Sequence, residues 1–71
     1  MQLKWKYLTY QQNPLHENIY EASGKIFNYQ IQCHSRRCFE LSVYNADGNM
    51  VNFTFMYLKS AKQVSALMEN G

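Results

Sequence analysis

The sequence is poor in residues that interrupt regular structure, and it has little net charge. Three glycines and one proline in 71 residues, with 46% hydrophobic residues, indicate a folded chain rather than a flexible one. Seven lysines and arginines against five acidic residues give a net charge of +2. A dedicated nucleic-acid binder usually has a denser basic stripe, and an acidic protein that imitates DNA would need many more carboxylates.

Long apolar runs are missing as well. No stretch approaches the ~20 apolar residues of a membrane helix, and the N-terminus lacks the apolar core and cleavage site of a signal peptide. We therefore expect a cytoplasmic protein, in which the two cysteines remain reduced. The length predicts one domain over residues 1–71, of marginal stability unless disulfides, a metal or oligomerisation add to it.

Sequence motifs for catalysis and cofactor binding are absent. There is no glycine-rich dinucleotide loop, Walker loop, nucleophile elbow or zinc-protease helix. The spacing of Glu17, Glu21 and Glu40 gives no reason for two carboxylates to converge in a pocket, as acid–base catalysis requires. We therefore expect a protein that is not an enzyme and that uses no cofactor.

The residues most suggestive of chemistry form one segment, CHSRRC, at positions 33–38. It could hold a disulfide, a reactive thiol at Cys38 beside Arg37, or a basic hairpin tip. A zinc site is a further alternative, but structural zinc needs four ligands, and here two cysteines are joined only by His34 and the distant His16.

The alternation around the two cysteines favours the basic tip. Cys33 shares its phase with the apolar Ile31, whereas Cys38 shares its phase with Glu40. Facing residues of an antiparallel pair point to the same side, so a direct disulfide would oppose core and solvent faces unless a β-bulge intervened. We expect Cys33 to be a small core residue and residues 36–37 to be exposed.

Alternation of apolar and polar residues with a period of two predicts the strands. The clear runs cover residues 27–34, 39–44 and 51–57, and weaker runs cover residues 3–7 and 19–23. A loop around Pro14 separates the two weak runs. The pattern is that of an antiparallel meander of four to five strands.

Two glycine-containing segments predict how consecutive strands are connected. Gly24-Lys25 suits a two-residue type II′ hairpin, which would place Ala22 opposite Phe27. Between the last two strands, matching the apolar faces requires a three-residue loop in which Gly48 is left-handed.

The period becomes helical after the last strand. Ser60 followed by Gln63 forms an S-x-x-Q capping box, which predicts a helix that starts at Ser60. Its predicted apolar stripe consists of Ala61, Val64, Leu67 and Met68. The fold class is α+β, an antiparallel meander of four to five strands with one C-terminal helix packed on one face.

Geometry points to a binding function. A helix of about ten residues is roughly 15 Å long and cannot cover four or five strands that lie about 4.8 Å apart. Apolar surface left bare usually marks a contact site. We therefore expect a protein-binding module, a regulator or inhibitor of the kind carried by phages or mobile elements, that docks its sheet face or aromatic edge on a larger protein or forms a homodimer. The expected contact residues are Tyr44, Met56, Asn52, Gln30 and Gln32, with Arg36 and Arg37 at the rim.

One layout suggests an alternative function. Three strands followed by a capped helix, with Phe55 to Ala61 leading into it, resemble the small AP2-like domains at the N-termini of phage integrases over residues 26–70. The resemblance implies a small nucleic-acid-binding domain that would use the three-stranded sheet and the Arg36-Arg37 hairpin. This chain departs from that type because its exposed sheet positions carry Asn, Gln, Ser, Thr and Met rather than Arg and Lys.

Overall fold

The computed structural model describes residues 2–9, 11 and 17–71. Within these residues, five strands and one helix occur in chain order: β1 (Lys6–Leu8), β2 (Asn18–Ser23), β3 (Asn28–Ser35), β4 (Cys38–Tyr44), β5 (Met50–Phe55) and α1 (Leu58–Asn70). Each strand pairs antiparallel with the next, so the sheet order is β1-β2-β3-β4-β5. The predicted α+β meander with one C-terminal helix is confirmed. Most of the loop predicted around Pro14, including His16, lies outside the described residues.

The register assigns each strand side chain to one of two faces. The helix face, which α1 covers, contains a row formed by Tyr7, Tyr20, Ile31, Leu41 and Phe53. The opposite face, which we call the open face, contains the neighbouring row formed by Lys6, Glu21, Gln30, Ser42 and Asn52. The alternation of the sequence therefore predicted correctly which residues of β3, β4 and β5 share a side.

The core lies between the helix face and α1. Its buried members are Leu3, Ala22, Tyr29, Ile31, Leu41, Val43 and Ala61. Burying a side chain the size of leucine or isoleucine contributes roughly 1.5–3 kcal/mol, so these few residues supply much of the folding energy. Ile19 is buried too, but it shares its row with Leu8 and Gln32 and therefore lies on the open face.

One of the two predicted turns is confirmed. Gly48 has a φ of 84°, and its N–H donates to the carbonyl of Asn45 at 3.1 Å. The N–H of Asn45 donates to the carbonyl of Asn49 at 3.0 Å, which closes the predicted three-residue loop. The left-handed conformation is the reason that this position needs glycine.

The predicted Gly24-Lys25 turn is wrong. Ala22 pairs with Tyr29, and the N–H of Gly24 donates to the carbonyl of Phe27 at 2.9 Å, so Lys25 and Ile26 form the tip. The register differs from the prediction by two residues, which leaves every side chain on its predicted face.

The predicted helix start at Ser60 is also wrong. The helix begins at Leu58, and Tyr57 is its N-cap, with extended φ and ψ and no side-chain capping bond. The N–H of Ser60 donates to the carbonyl of Tyr57 at 3.2 Å, which places Ser60 inside the first turn. Tyr57, which the sequence placed in the last strand, therefore lies outside the sheet and is exposed.

The buried side of the helix differs from the predicted stripe. Ala61, Ser65 and Glu69 are its buried residues, at a spacing of four. Leu67 points away from the sheet and is 71% exposed, so its assignment to the apolar stripe is corrected. Val64 and Met68 are half-buried on the flank of the helix.

Glu69 fastens the end of α1 to the β2–β3 turn. Its carboxylate accepts hydrogen bonds from the Tyr29 hydroxyl at 2.8 Å and from the backbone N–H groups of Lys25 and Ile26. A side chain on Gly24 would collide with this carboxylate, since a Cβ there would lie 2.1 Å from Oε1. The helix consequently crosses the sheet diagonally, from the end of β5 to the turn between β2 and β3.

The CHSRRC segment forms the predicted basic hairpin tip, with Arg36 and Arg37 exposed in the turn between β3 and β4. Cys33 pairs with Phe39 rather than with Cys38, and the register shifts between Cys33 and Ser35, before the turn. Both cysteines are free thiols. Burial, together with the nearby carboxylate of Glu17, raises the pKa of the Cys33 thiol, which is the opposite of what a nucleophilic cysteine needs.

Candidate protein-binding surface

The open face brings together three of the residues expected to contact a partner. Gln30 and Asn52 lie in one row on either side of Ser42, whose hydroxyl donates to Asn52 Oδ1 at 2.8 Å. The Tyr44 hydroxyl donates to Gln30 Oε1 at 3.3 Å. These polar groups bond to one another, so a partner that used them would have to replace bonds that already exist.

The remaining expected contact residues are spread along the sheet. Gln32 lies in the next row, beside Glu40. Arg36 and Arg37 are exposed at the β3–β4 tip, and Met56 lies beyond the end of β5, at the same end of the sheet. From the start of β4 to Tyr44 the strand spans about 20 Å, so the predicted set forms no compact patch.

Exposed apolar side chains concentrate instead along β5 and the residues that follow it. Of the eight large hydrophobic residues exposed in the described part of the chain, five lie within residues 50–57, and we call this segment the β5 strip. Those five are Met50, Val51, Phe53, Met56 and Tyr57. An apolar concentration of this kind usually marks a contact site.

The diagonal course of the helix explains why the β5 strip is bare. Val51 and Phe53 lie on the helix face, yet they are 52% and 40% exposed. Because Glu69 holds the C-terminal end of α1 over the β2–β3 turn, the helix moves away from the start of β5. The uncovered corner is a groove lined by Phe27, Met50, Val51 and Met68, among others.

The backbone of β5 is open on one side. Within the described residues, β5 pairs only with β4. Since the N–H of Asn45 bonds to the carbonyl of Asn49, the alternation of an antiparallel ladder directs the N–H and C=O groups of Met50, Asn52 and Thr54 away from β4. These three residues therefore present donors and acceptors to an additional strand.

The other edge of the sheet has a different character. β1 has three residues, of which Lys6 is one, and Lys4 precedes it. Short edge strands and lysines are common protections against unwanted strand pairing. β5 is twice as long, with six residues, and it contains no lysine or other charged residue and no proline. It therefore lacks these protections against strand pairing.

An ionisable cluster lies at the β3–β4 end of the open face. The His34 ring bonds through Nδ1 to Glu17 Oε1 at 3.0 Å and through Nε2 to Glu40 Oε1 at 2.8 Å. The hydrogen bonds to Glu40 and Glu17 raise the pKa of His34. The spacing of Glu17 and Glu40 predicted no convergence of these two carboxylates, and the structure, which brings both to His34, corrects that prediction. The side chains are each about a third exposed, so the cluster is solvated rather than enclosed.

Comparisons with protein-family models, with curated proteins and with solved structures gave no match. In the described residues, the helix is too short and too polar to cross a bilayer.

Sequence reasoning missed the β5 strip as a surface because alternation tells which way a side chain points and not whether anything covers it. One signal was available: residues 50–58 contain no charged residue, and they form the last strand of the predicted meander. An uncharged strand at the end of a meander is by position an edge strand.

Proposed function

We propose that this protein is a non-enzymatic protein-binding module that docks through the β5 strip. The observation that carries the proposal is that a backbone edge left unpaired by the described residues coincides with five exposed apolar side chains in one uncharged segment. A partner strand added to this edge would gain main-chain hydrogen bonds, and the apolar side chains would give it specificity.

The open face has a secondary role in this proposal. Gln30 and Tyr44 are half-buried and bonded to each other, so they suit the rim of an interface better than its centre. Arg36 and Arg37 lie at the same end as Met56 and would meet an acidic border on the partner. The same proposal includes a regulatory or inhibitory action, in which the protein covers a surface of its partner. It also includes a cytoplasmic location, which the free thiols of Cys33 and Cys38 support.

Photocrosslinking from two positions tests the proposed surface. A photoreactive phenylalanine replaces Phe53 in one chain and Gln30 in another, and each chain is irradiated in an extract of the cells that encode the protein. We expect discrete crosslinked protein bands from position 53 and few from position 30, which lies on the opposite face.

A charge in the strip provides the matched control. Val51→Lys in the position-53 chain should remove the crosslinked bands, whereas Leu67→Lys, which makes the same kind of change away from the sheet, should preserve them. Stronger crosslinking from position 30 than from position 53, or no protein crosslinks at all, would contradict the proposed function.

A further inference from the structure

We propose that the partner of the β5 strip is a second copy of this chain, with the two β5 strands paired antiparallel about a two-fold axis at Asn52. The pairing would join two five-stranded sheets into one sheet of ten strands. This inference rests on the proposed function and names the partner that the exposed edge selects.

The contrast between the two edges of the sheet argues for a specific use of β5. β1 is short and carries Lys6, so it resists strand pairing. A small domain that left β5 equally open to every other chain would risk aggregation. Self-pairing removes that risk, because a two-fold contact uses both β5 edges and leaves only the protected β1 edges outside.

The backbone geometry permits the pairing without rearrangement. The backbone N–H and C=O groups of β5 that point away from β4 belong to Met50, Asn52 and Thr54. With the axis at Asn52, this residue faces Asn52 of the second copy, and Met50 faces Thr54 of the second copy. Each of these pairs joins outward-facing residues, as a hydrogen-bonded antiparallel ladder requires.

The side chains are complementary in the same register. Val51 would face Phe53 of the second copy on the helix face, and this pair occurs twice. Pairs of β-branched and aromatic side chains are favourable across strands. A two-fold pairing places residues of equal charge close together, and β5 avoids the resulting repulsion because it carries no charge.

The size of the contact sets the expected affinity. A strand of six residues is about 20 Å long, which makes a small interface even with the flanking Met56 and Tyr57. Contacts at the low end of the size range are weak, so we expect a dissociation constant on the order of micromolar.

Sedimentation of the purified chain tests the inference directly. Across roughly 1 to 100 µM, a range that brackets a micromolar constant, we expect the mass to rise from the 8.4 kDa monomer toward twice that value. Val51→Lys should keep the protein monomeric throughout this range, and Leu67→Lys should behave as the unaltered chain. A monomer at the highest concentration, an assembly larger than a dimer, or loss of the dimer in Leu67→Lys would overturn the proposal.

Mixing two variants tests the register. Val51→Lys and Phe53→Glu should each be monomeric alone, because each places a charge against an apolar side chain of the second copy. Mixed in equal amounts they should form a heterodimer, because the axis at Asn52 sets the introduced lysine against the introduced glutamate. Circular dichroism of each variant at low concentration shows whether it is folded, and a mixture of two folded variants that stays monomeric would contradict this register.

Amide hydrogen exchange locates the contact at atomic level. In the dimer the N–H groups of Asn52 and Thr54 should exchange at least tenfold more slowly than at dilutions where the monomer predominates. Unchanged exchange in a sample that sediments as a dimer would overturn pairing through β5. A chain that stays monomeric when pure, yet crosslinks another protein from position 53, would refute the second copy as partner and leave the proposed function standing.

Discussion

At the residue scale, His34 is held between two carboxylates, that of Glu40 in β4 and that of Glu17 just before β2. Its bonds to Glu17 and Glu40 favour the imidazolium form and raise the pKa above the ordinary value of 6.5. The imidazole therefore connects the start of β2 to β4 most strongly when it is protonated. The cluster makes a local contribution to stability that depends on pH.

We expect this contribution to be complete below about pH 6.5 and to be lost as the pH rises through the raised pKa of folded His34. Its size should stay below about 1 kcal/mol, because the three side chains are partly exposed and screened by solvent. Urea unfolding of the unaltered chain and of His34→Gln at pH 6 and pH 8.5 measures it. Equal differences between the two proteins at both pH values would contradict the assignment.

Glu69 has the opposite dependence on pH. Burial disfavours its charged form, but the bonds from the Tyr29 hydroxyl and from the backbone N–H groups of Lys25, Ile26 and Phe27 outweigh burial and lower its pKa. Its contribution is therefore present above the ordinary glutamate pKa of 4.5 and is lost as the pH falls through the lowered value. Burial and the same bond to Glu69 raise the pKa of Tyr29.

We expect Glu69→Gln to lower the midpoint of urea unfolding at pH 7, because the neutral amide offers one acceptor oxygen in place of two to the donors of Tyr29, Lys25 and Ile26. The difference from the unaltered chain should shrink in acid. Glu21→Gln is the matched control, since Glu21 is exposed on the open face, and it should change the midpoint little. An equal effect of the two substitutions at pH 7 would contradict the role assigned to Glu69.

At the scale of elements, the start of the helix offers a clear test. Tyr57 is the N-cap, yet it supplies no side-chain bond, and the first turn contains no acidic residue. Tyr57→Asp should therefore stabilise the protein by about 0.5–1 kcal/mol through a capping bond and the helix dipole. Ser60→Ala should change stability by less than about 0.5 kcal/mol, because Ser60 lies inside the helix.

Thermal and urea unfolding of both variants separate the two possible helix starts. If Ser60 were the cap that the S-x-x-Q pattern predicts, Ser60→Ala would cost about 1 kcal/mol and Tyr57→Asp would bring no gain.

The strands could be predicted from the sequence, and the helix start could not, for one physical reason. Period-two alternation reports the burial of many side chains at once, so it survives local errors such as the two-residue shift at the β2–β3 turn. A capping box is a pattern of only two residues. Here Leu58 and Lys59 favour the helical conformation, so the helix begins two residues before Ser60. Ser60 and Gln63 satisfy the pattern by composition alone.

At the scale of the whole molecule, the candidate surface follows from how the helix lies on the sheet. That orientation depends on Glu69, and a buried glutamate is rare enough that sequence reasoning assigns such a residue to the solvent side. The sequence therefore predicted that the helix leaves part of the apolar sheet surface uncovered, but it did not predict where that surface lies. The two most exposed apolar residues of the sheet, Val51 and Met50, lie on β5.

The distribution of charge over the whole molecule also bears on the nucleic-acid alternative. The part of the open face formed by β3, β4 and β5 carries Glu40 and no lysine or arginine, apart from the tip at Arg36 and Arg37. Two phosphate contacts would give a salt slope of only about −2, and an affinity too weak for specific binding at physiological salt. Proteins that rely on the phosphate backbone use many more contacts.

We therefore expect fluorescence anisotropy of labelled duplex DNA to show no binding tighter than about 100 µM at 150 mM salt, the range of weak non-specific contacts. At low salt, any binding should fall in the double variant Arg36→Ala/Arg37→Ala, because these two arginines supply the positive charge at the β3–β4 tip. A dissociation constant below about 10 µM at 150 mM salt, lost in the double variant, would favour the nucleic-acid function over protein binding. Val51→Lys separates the two functions further, since it adds a cation to the sheet and should abolish β5 pairing while leaving DNA binding equal or stronger.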